Sequence, residues 1–356
     1  MKILFLTGAF YPQLGGVEKS VYSVSAELCR NGYSIDIVTQ KTDKTSSEFE
    51  EFPEGFRVHR IPPSKIPKTG IFWKWIWFLF HIKLIWNADI IHFHDFDVLI
   101  KWFFPYRFLF FRKKYYITFH GYEGFPLRYK HIFYRKIAEK ITHGNICVGE
   151  FIKRWYRTKP DIIYYAAVYP PAENISSVIG DDILFIGRLE KDTEIMNYLE
   201  ALKLFYENSN SKSCFKIVGD GSLREKAAAF LKENNIPHKF YGMQKNPNEF
   251  IKNARVVLAS SYLSMLEAMS YGKVVIAFYS NNIKRDYLTS FPDYDYSFIV
   301  MEDVARTAKK IESVYLHTEK YDSMRQSAII TAKELTWSKV AAKYISLYNK
   351  NRDNEN

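Results

Sequence analysis

Cysteine is scarce in this chain of 356 residues: Cys29, Cys147 and Cys214 stand alone and far apart. An odd number of scattered thiols argues against a disulfide framework or a zinc site and reads as reduced thiols in a cytosol. Long apolar runs are also missing. The best candidate, residues 71–86, is broken by Lys74, His81 and Lys83, and a membrane-spanning helix needs ~18 uninterrupted apolar residues. The apolar run in Met1–Gly8 is too short for a secretory signal and reads instead as a buried strand. Internal repeats and low-complexity tracts are absent too. What is left is 47% hydrophobic and 25% charged, the composition of a globular protein with a sizeable interior. At this length the interior divides into two domains of about 150–180 residues.

Negative charge is scarce in the first half only. Residues 1–170 hold 25 Lys and Arg against 15 Asp and Glu, an excess of ten; residues 171–356 hold 25 against 24, an excess of one. Nearly the whole positive field belongs to the first half, whose partner is therefore expected to be anionic.

Short runs rich in Ile, Val, Phe and Tyr recur at 2–7, 34–39, 57–61, 88–94, 115–120, 145–148 and 161–168, then at 183–186, 215–218, 256–260, 274–278 and 298–301. Continuous apolar runs of this length suit strands buried on both faces, as in a parallel sheet. Helical periodicity fills the gaps. Val17, Val21, Val24 and Leu28 repeat at helical spacing, and Asn31-Gly32 stops that helix. Strand–helix alternation predicts right-handed crossovers and doubly wound sheets. The stretch Tyr169-Pro170-Pro171-Ala172-Glu173-Asn174 continues neither helix nor central strand, so the boundary is placed there: 1–170, 171–335, and a last helix in 336–356 crossing back to the first domain.

Doubly wound sheets bind ligands beyond the carboxyl ends of their strands, so the polar residues there carry the argument, and the cleft between two such domains is the expected site. Gly15-Gly16 opens the first helix, where a backbone can approach a ligand and a helix N-terminus favours anions; a plain turn explains the pair as well. Gly187-Arg188-Leu189-Glu190-Lys191 ends a strand, and Arg188 with Lys191 could grip a diphosphate; the bland alternative pairs Arg188 with Glu190 or Asp192. Gly219-Asp220-Gly221-Ser222 reads as a ligand-approach turn or as ordinary capping. Ser264 and Glu267 fit a capping box, while the same helix start aims amides outward. His120-Gly121 follows another strand; a lone histidine there is more often structural.

Taken together, Gly15-Gly16-Val17-Glu18, His120-Gly121, Gly187-Arg188-Leu189, Gly219-Asp220-Gly221 and Leu266-Glu267-Ala268-Met269 occur in the order found in glycosyltransferase family 4. Trp337-Ser338-Lys339-Val340 resembles that family's C-terminal helix, and the resemblance spans residues 1 to about 348. It implies an α/β chain of GT-B architecture: two Rossmann-like, doubly wound parallel-sheet domains facing an interdomain cleft, the first on the acceptor side, the second binding the nucleotide sugar. It also implies a retaining, metal-independent glycosyltransferase that moves a sugar from a UDP- or GDP-sugar to a glycan or lipid-linked acceptor. No cofactor is expected beyond the nucleotide sugar as co-substrate. By resemblance Arg188 holds the donor diphosphate, Glu267 the ribose hydroxyls and His120 the donor sugar. Gly15, Gly16, Gly187, Gly219 and Asp220 line the site.

Two departures stand out. The family's lysine about five residues after the arginine falls here at Thr193, with Lys191 two residues early, and the Glu-Gly-Phe-Gly stretch before Leu-Glu-Ala-Met is missing. The shortened loop leaves the amides of Leu263, Ser264 or Met265 to serve. Arg188, Lys191 and a helix N-terminus would stabilise charge on the departing oxygen by preorganised electrostatics.

Other readings fit parts of the chain. His92, His94, Asp95 and Asp97 could hold a metal, with Asp95-Phe96-Asp97 resembling the D-x-D of the GT-A fold, but this leaves the second-half motifs unexplained. Residues 71–86 and 101–116 mix Trp, Tyr, Lys and Arg as a membrane interface selects, giving a peripheral contact with anionic lipid at the cytoplasmic face. Nucleic-acid binding is not expected, since the basic residues are interleaved with bulky apolar ones. A sugar-nucleotide epimerase of the same fold and a non-catalytic nucleic-acid- or sugar-binding protein are the alternatives.

Overall fold

The computed structural model describes residues 1–43, 45–171, 180–209, 211 and 213–353. They form two compact units: residues 1–164 with the helix Trp337–Asp353, and the described part of 165–336. The division falls six residues before the expected 170/171. Tyr165 already belongs to the second unit, its ring 5.6 Å from that of Tyr262 and 5.5 Å from that of Phe291. Val168 bridges to Thr336. Of the stretch expected to link the domains, residues 172–174 lie outside the described residues.

The first unit holds β1 (Lys2–Thr7), β2 (Ser34–Gln40), β3 (Phe49–Glu51), β4 (Arg57–Ile61), β5 (Ile90–His94), β6 (Lys114–Phe119), β7 (Gly144–Val148) and β8 (Ile162–Tyr164). They form one sheet in the order β3-β4-β2-β1-β5-β6-β7-β8. All pairs are parallel except β3 with β4. The second unit holds β9 (Asp182–Ile186), β10 (Phe215–Val218), β11 (His238–Gly242), β12 (Ala254–Leu258), β13 (Val274–Phe278) and β14 (Ile299–Met301), wholly parallel in the order β11-β10-β9-β12-β13-β14.

The strand order reverses between β1 and β5 in the first sheet and between β9 and β12 in the second. Crossovers on either side of that point leave the sheet faces, so a crevice opens at the carboxyl ends there. Both switch points are flanked by fully buried strands: Ile3 to Leu6 and Ile183 to Phe185 are inaccessible. Two strands carry no continuous apolar run, which is why the sequence does not announce them. Both β3 (Phe-Glu-Glu) and β11 (His-Lys-Phe-Tyr-Gly) sit at sheet edges, half exposed.

The first helix, Gly16–Arg30, buries Val21, Val24 and Leu28. It stops at Asn31, after which Gly32 takes φ +81° and its amide bonds Cys29 O at 2.9 Å. The helix Trp337–Asp353 is tied to the first sheet by side chains: Tyr344 Oη lies 2.8 Å from Thr118 Oγ1, Tyr348 Oη lies 2.8 Å from His92 Nδ1, and Lys343 Nζ donates to Ile163 O at 2.9 Å. Among the described residues no helix is long and apolar enough to cross a membrane.

Candidate active site

In the second unit the ends of β9 and β10 fold into each other. Gly187 N bonds Val218 O at 3.1 Å and Leu189 N bonds Asp220 O at 2.9 Å. A Cβ on Gly219, at φ +146°, would sit 1.8 Å from Gly187 O, and one on Gly221 would sit 2.5 Å from Leu189 O. These two glycines are required by loop against loop, so close approach to a ligand is not needed to explain them. Asp220 is spent locally, accepting from its neighbour Gly221 N at 2.9 Å and from Arg224 at 2.8 Å. Glu190, unremarked in the sequence, clamps the pair of loops by accepting Ser222 N at 2.8 Å and Ser222 Oγ at 2.6 Å, bonds that hold its carboxyl below the usual range.

Arg188 stands half exposed on this loop and its Nη2 meets Asp192 Oδ2 at 2.7 Å. Lys191 is exposed on the short 3-10 turn Lys191–Thr193. Thr193, five residues after Arg188, is buried, and its hydroxyl donates to Arg188 O at 2.6 Å, so it braces the loop.

At the neighbouring end of β12 the helix Tyr262–Ser270 begins with Ser261 as its cap residue. The Ser264–Glu267 capping box does not form, because the shortened loop starts the helix three residues earlier. Ser264 sits inside the first turn and accepts from Ser261 Oγ at 3.0 Å. Met265, expected to offer its amide, does not: that amide bonds Ser261 O at 2.9 Å and the side chain is fully buried. Tyr262 N donates to Tyr287 Oη at 2.6 Å. That leaves the amides of Leu263 and Ser264 without acceptors among the described residues, at the positive end of a helix. Glu267 is half-buried two turns in.

Sequence reasoning missed Lys284. It lies in the first turn of the helix Asn282–Thr289, its amide capped by Asn281 Oδ1 at 3.0 Å. Its side chain is 2% exposed and runs back to donate to Ser260 O, at the start of the shortened loop. Burial pushes its ammonium down to about 8; Asp192 and Glu194 oppose that shift and Arg188 adds to it. A lysine in the first turn of a helix opposes the macrodipole, and that was the available signal. A concavity of about 510 Å³ lies near the β13 and β14 ends, lined in part by Asn281, Glu302 and Asp303. Arg306 lines it too, so its wall carries two carboxylates against one guanidinium, a net negative balance that disfavours a phosphate.

In the first unit Gly15 is the extended cap residue of its helix, and a Cβ on it would press on the end of the Glu18 side chain, whereas one on Gly16 would meet open space. His94, at the end of β5, and His120, just past β6, bond to each other, Nδ1 to Nε2, at 2.8 Å. His94 Nε2 is buried with no partner among the described residues. Burial, helped by the Arg135 charge, pushes His120 down to about 3, and burial also lowers His94 and His92. His120 N donates to Asp95 Oδ1 at 3.1 Å. Burial raises Asp95 to about 6 although Arg135 pulls the other way.

Arg135, 1% exposed, organises this end of the sheet. It donates to Gly121 O and Glu123 Oε1, each at 2.6 Å, and lies 4.0 Å over the Tyr156 ring. The His92, His94, Asp95 and Asp97 run does not converge. His92 faces Thr118 and Tyr348, while Asp97 pairs with exposed Lys101 at 2.8 Å. Among the described residues no three His, Cys, Asp or Glu side chains are grouped to hold a metal ion.

The aromatic segments present an apolar face, but with other residues than the tryptophans. Trp77 is buried, and Trp73 and Trp75 are half-buried, their indoles bonded to Pro62 O at 2.8 Å and Lys101 O at 3.1 Å. Phe72, Ile76, Leu79 and Phe80 face out at helical spacing on Gly70–Phe80, as do Phe108, Leu109 and Phe111 beyond. Segments 71–86 and 101–116 contain two and five Lys or Arg respectively and no Asp or Glu.

Two family descriptions match the chain, Glycosyltransferase Family 4 over residues 14–164 and Glycosyl transferases group 1 over residues 176–331. A GDP-mannose-dependent alpha-mannosyltransferase of Mycobacterium tuberculosis (strain CDC 1551 / Oshkosh) is 31% identical over 69 residues, 19% of this chain and 18% of that protein. A GalNAc-alpha-(1->4)-GalNAc-alpha-(1->3)-diNAcBac-PP-undecaprenol alpha-1,4-N-acetyl-D-galactosaminyltransferase of Campylobacter jejuni is 26% identical over 157 residues, 43% of this chain and 42% of that protein. Both matches span less than half of the relative's length. Sucrose-phosphate synthase from Thermosynechococcus elongatus superposes with a TM-score of 0.78 at 16% identity, covering 98% of this chain and 99% of that one. That likeness is one of fold, and the fold is GT-B.

Proposed function

This chain belongs to glycosyltransferase family 4, and we propose that it transfers a sugar, with retention and without a catalytic metal, from a UDP- or GDP-sugar to a glycan or lipid-linked acceptor at the cytoplasmic face of a membrane. The observation that carries this is local to the second unit. At its switch point a half-exposed guanidinium, Arg188, ends β9, and a helix start with two open amides follows the adjacent β12. A cation and unsatisfied N–H groups at a switch point suit a nucleotide diphosphate.

In the reaction the acceptor hydroxyl oxygen bonds to the anomeric carbon while the bond from that carbon to the diphosphate oxygen breaks. The departing diphosphate takes the acceptor's proton, so no protein base is assigned. Arg188, Lys191 and the amides of Leu263 and Ser264 stabilise the charge that grows on the leaving oxygen, and such preorganised donors need no rearrangement as it grows. Arg188 must exchange Asp192 for phosphate, which the exposed position of both allows. Glu267 holds the ribose hydroxyls. Gly15, Gly16, Gly187, Gly219 and Asp220 shape the loops around the ligands. His120 meets a sugar hydroxyl through Nδ1, its Nε2 being bonded to His94.

The lipid-linked acceptor rests on the exposed apolar residues beside Lys101, Arg112 and Lys113, a surface that suits anionic lipid. The Campylobacter relative carries undecaprenol in its name, in keeping with such an acceptor. A thermal-shift panel of UDP-, GDP- and ADP-sugars, run on the wild type and on Arg188→Ala, tests the donor assignment. One nucleotide class should raise the melting temperature of the wild type and not of the variant. No shift with any of the three removes the reading.

A further inference from the structure

Lys284 presents a physical problem that the donor site as described leaves open. A buried ammonium is stable only when its charge and its three N–H groups are met. Here one N–H has Ser260 O, and the face of the Tyr287 ring lies 4.7 Å away. No carboxylate comes within 4.0 Å of Nζ among the described residues. The two nearest are engaged elsewhere: Asp192 is paired with Arg188, and Glu194 accepts Ser280 N and Oγ and Asn197 Nδ2 at 3.2, 2.7 and 2.6 Å.

The helix that carries Lys284 makes matters worse, since its positive end lies at the same place. A second buried lysine, Lys273, is also pushed down to about 8 by burial, with the Arg325 charge adding to the shift, but it lies at the other kind of helix end. Lys273, 6% exposed, donates to Lys252 O at 2.7 Å, the carbonyl end of the helix Asn248–Lys252, where the dipole favours a cation. Lys284 occupies the opposite kind of helix end, and the loop it grips, Ser260 to Ser264, is the one that offers two open amides. Excess positive charge without a protein counter-ion is what an anion site requires.

We propose that Lys284 is a substrate-binding residue whose ammonium, together with the amides of Leu263 and Ser264, binds the diphosphate of the nucleotide donor. This rests on the donor reading of the second unit and names a cation in it that no motif residue supplies. The stability balance has a definite sign. The folded chain gives up this proton near pH 8 and the unfolded chain near 10.5, so the ammonium costs stability below pH 8 and the cost fades between those values. A bound diphosphate removes the cost by pairing the charge.

The test uses the full chain, with UDP, GDP and inorganic pyrophosphate as probes in calorimetric titrations from pH 7 to 9.5. The terminal phosphate of UDP and GDP, with a pKa of about 6, stays charged across this range, whereas inorganic pyrophosphate loses its last proton within it and is compared between variants at a single pH. The charged groups that act on Lys284 are Arg188, Asp192 and Glu194 from the β9 loop, while Arg285 and Asp286, next along its own helix, lie 3.4 Å from each other. Tyr262 and Tyr287 stack beside Lys284. Wild-type affinity should fall as the pH passes about 8. Lys284→Met should weaken binding about tenfold or more at pH 7 and flatten the profile, with an unchanged or higher melting temperature.

Lys284→Arg, whose charge does not titrate, should keep affinity and lose the pH slope. Lys273→Met is the control and should bind as the wild type does. If Lys284→Met binds like the wild type with the same pH slope, or melts lower with affinity intact, the lysine only braces Ser260 and the proposal is wrong. If Arg188→Ala abolishes binding while both Lys284 variants match the wild type, this proposal alone falls. If the wild type binds none of the probes, the donor reading falls with it.

Discussion

The two units place their strands in the same sequence of positions, β4-β2-β1-β5-β6-β7 in one and β11-β10-β9-β12-β13-β14 in the other, and then treat the strand ends in opposite ways. In the first unit the buried cation has carboxylates beside it, Arg135 Nη2 lying 2.6 Å from Glu123 and 4.0 Å from Asp95, although Arg135 Nε and Nη1 and His94 Nε2 have no hydrogen-bond partner among the described residues. In the second the positive groups are left under-satisfied, with Arg188 held by an exposed aspartate, Lys284 by a single carbonyl, and two amides open. One topology thus carries a charge-paired buried cation in one copy and positive groups short of carboxylates in the other. The chemistry lies in the loops and helix starts beyond the strands, and the strand order only says where to look.

The contrast can be broken from either side. Arg135→Met should destabilise the first unit by about 3–5 kcal/mol, since it strands Glu123 and Asp95 around a buried space. Urea denaturation reads it, and a loss under about 1 kcal/mol would mean that the charge pairing does not hold this unit together. In the second unit Arg188→Ala should cost about 10²–10³-fold in transfer rate, by analogy with removing one charge-stabilising donor, with little change in stability. An enzyme assay on the donor found in the thermal panel decides it; an equal loss of stability would erase the difference between the units.

Gly219→Ala forces a methyl against Gly187 O and should cost about 2–3 kcal/mol, seen as a lower melting temperature. Acid should act on the first unit. His92 and His94 stay neutral when folded and take protons near pH 6.5 when unfolded, so stability is intact above that pH and lost below it. The slope is roughly 1 kcal/mol per pH unit for each. Asp95, raised to about 6, works against this between about 6 and 4, where the folded form binds the extra proton. A denaturation midpoint unchanged from pH 7.5 to 5.5 would contradict the buried-neutral account. The smallest effect on stability, within about 0.5 kcal/mol, is expected for Phe80→Ser with Phe108→Ser, both exposed. The same pair should abolish co-sedimentation with anionic vesicles, and retained binding would remove the membrane contact.

Much of this fold is legible in the chain by local physics. Strands such as Val274–Phe278 are unbroken apolar runs, and such runs admit few other fates. Gly187 and Gly219 are visible as turn residues, although their reason, two backbones in contact, depends on which strands neighbour each other. The edge strands β3 and β11 are hidden because an edge strand has no need to be apolar. The Ser264–Glu267 box matches a pattern whose register the shortened loop has shifted. The aromatic segment is legible as a class but not in orientation, since Trp77 faces inward and Phe80 outward. Lys284 is least legible: a lysine's burial is decided by elements far from it in sequence.

The helix Trp337–Asp353 has a consequence for how the protein is made. Its tyrosines complete the hydrogen bonding of His92 and Thr118, which leave the ribosome more than two hundred residues earlier. The inserted unit is continuous in sequence and can close while synthesis is still under way. The first unit must instead wait, with its sheet face uncovered, until residues 337–353 have been made. A nascent chain stopped at residue 336 should therefore carry one finished lobe and one that chaperones still recognise as incomplete.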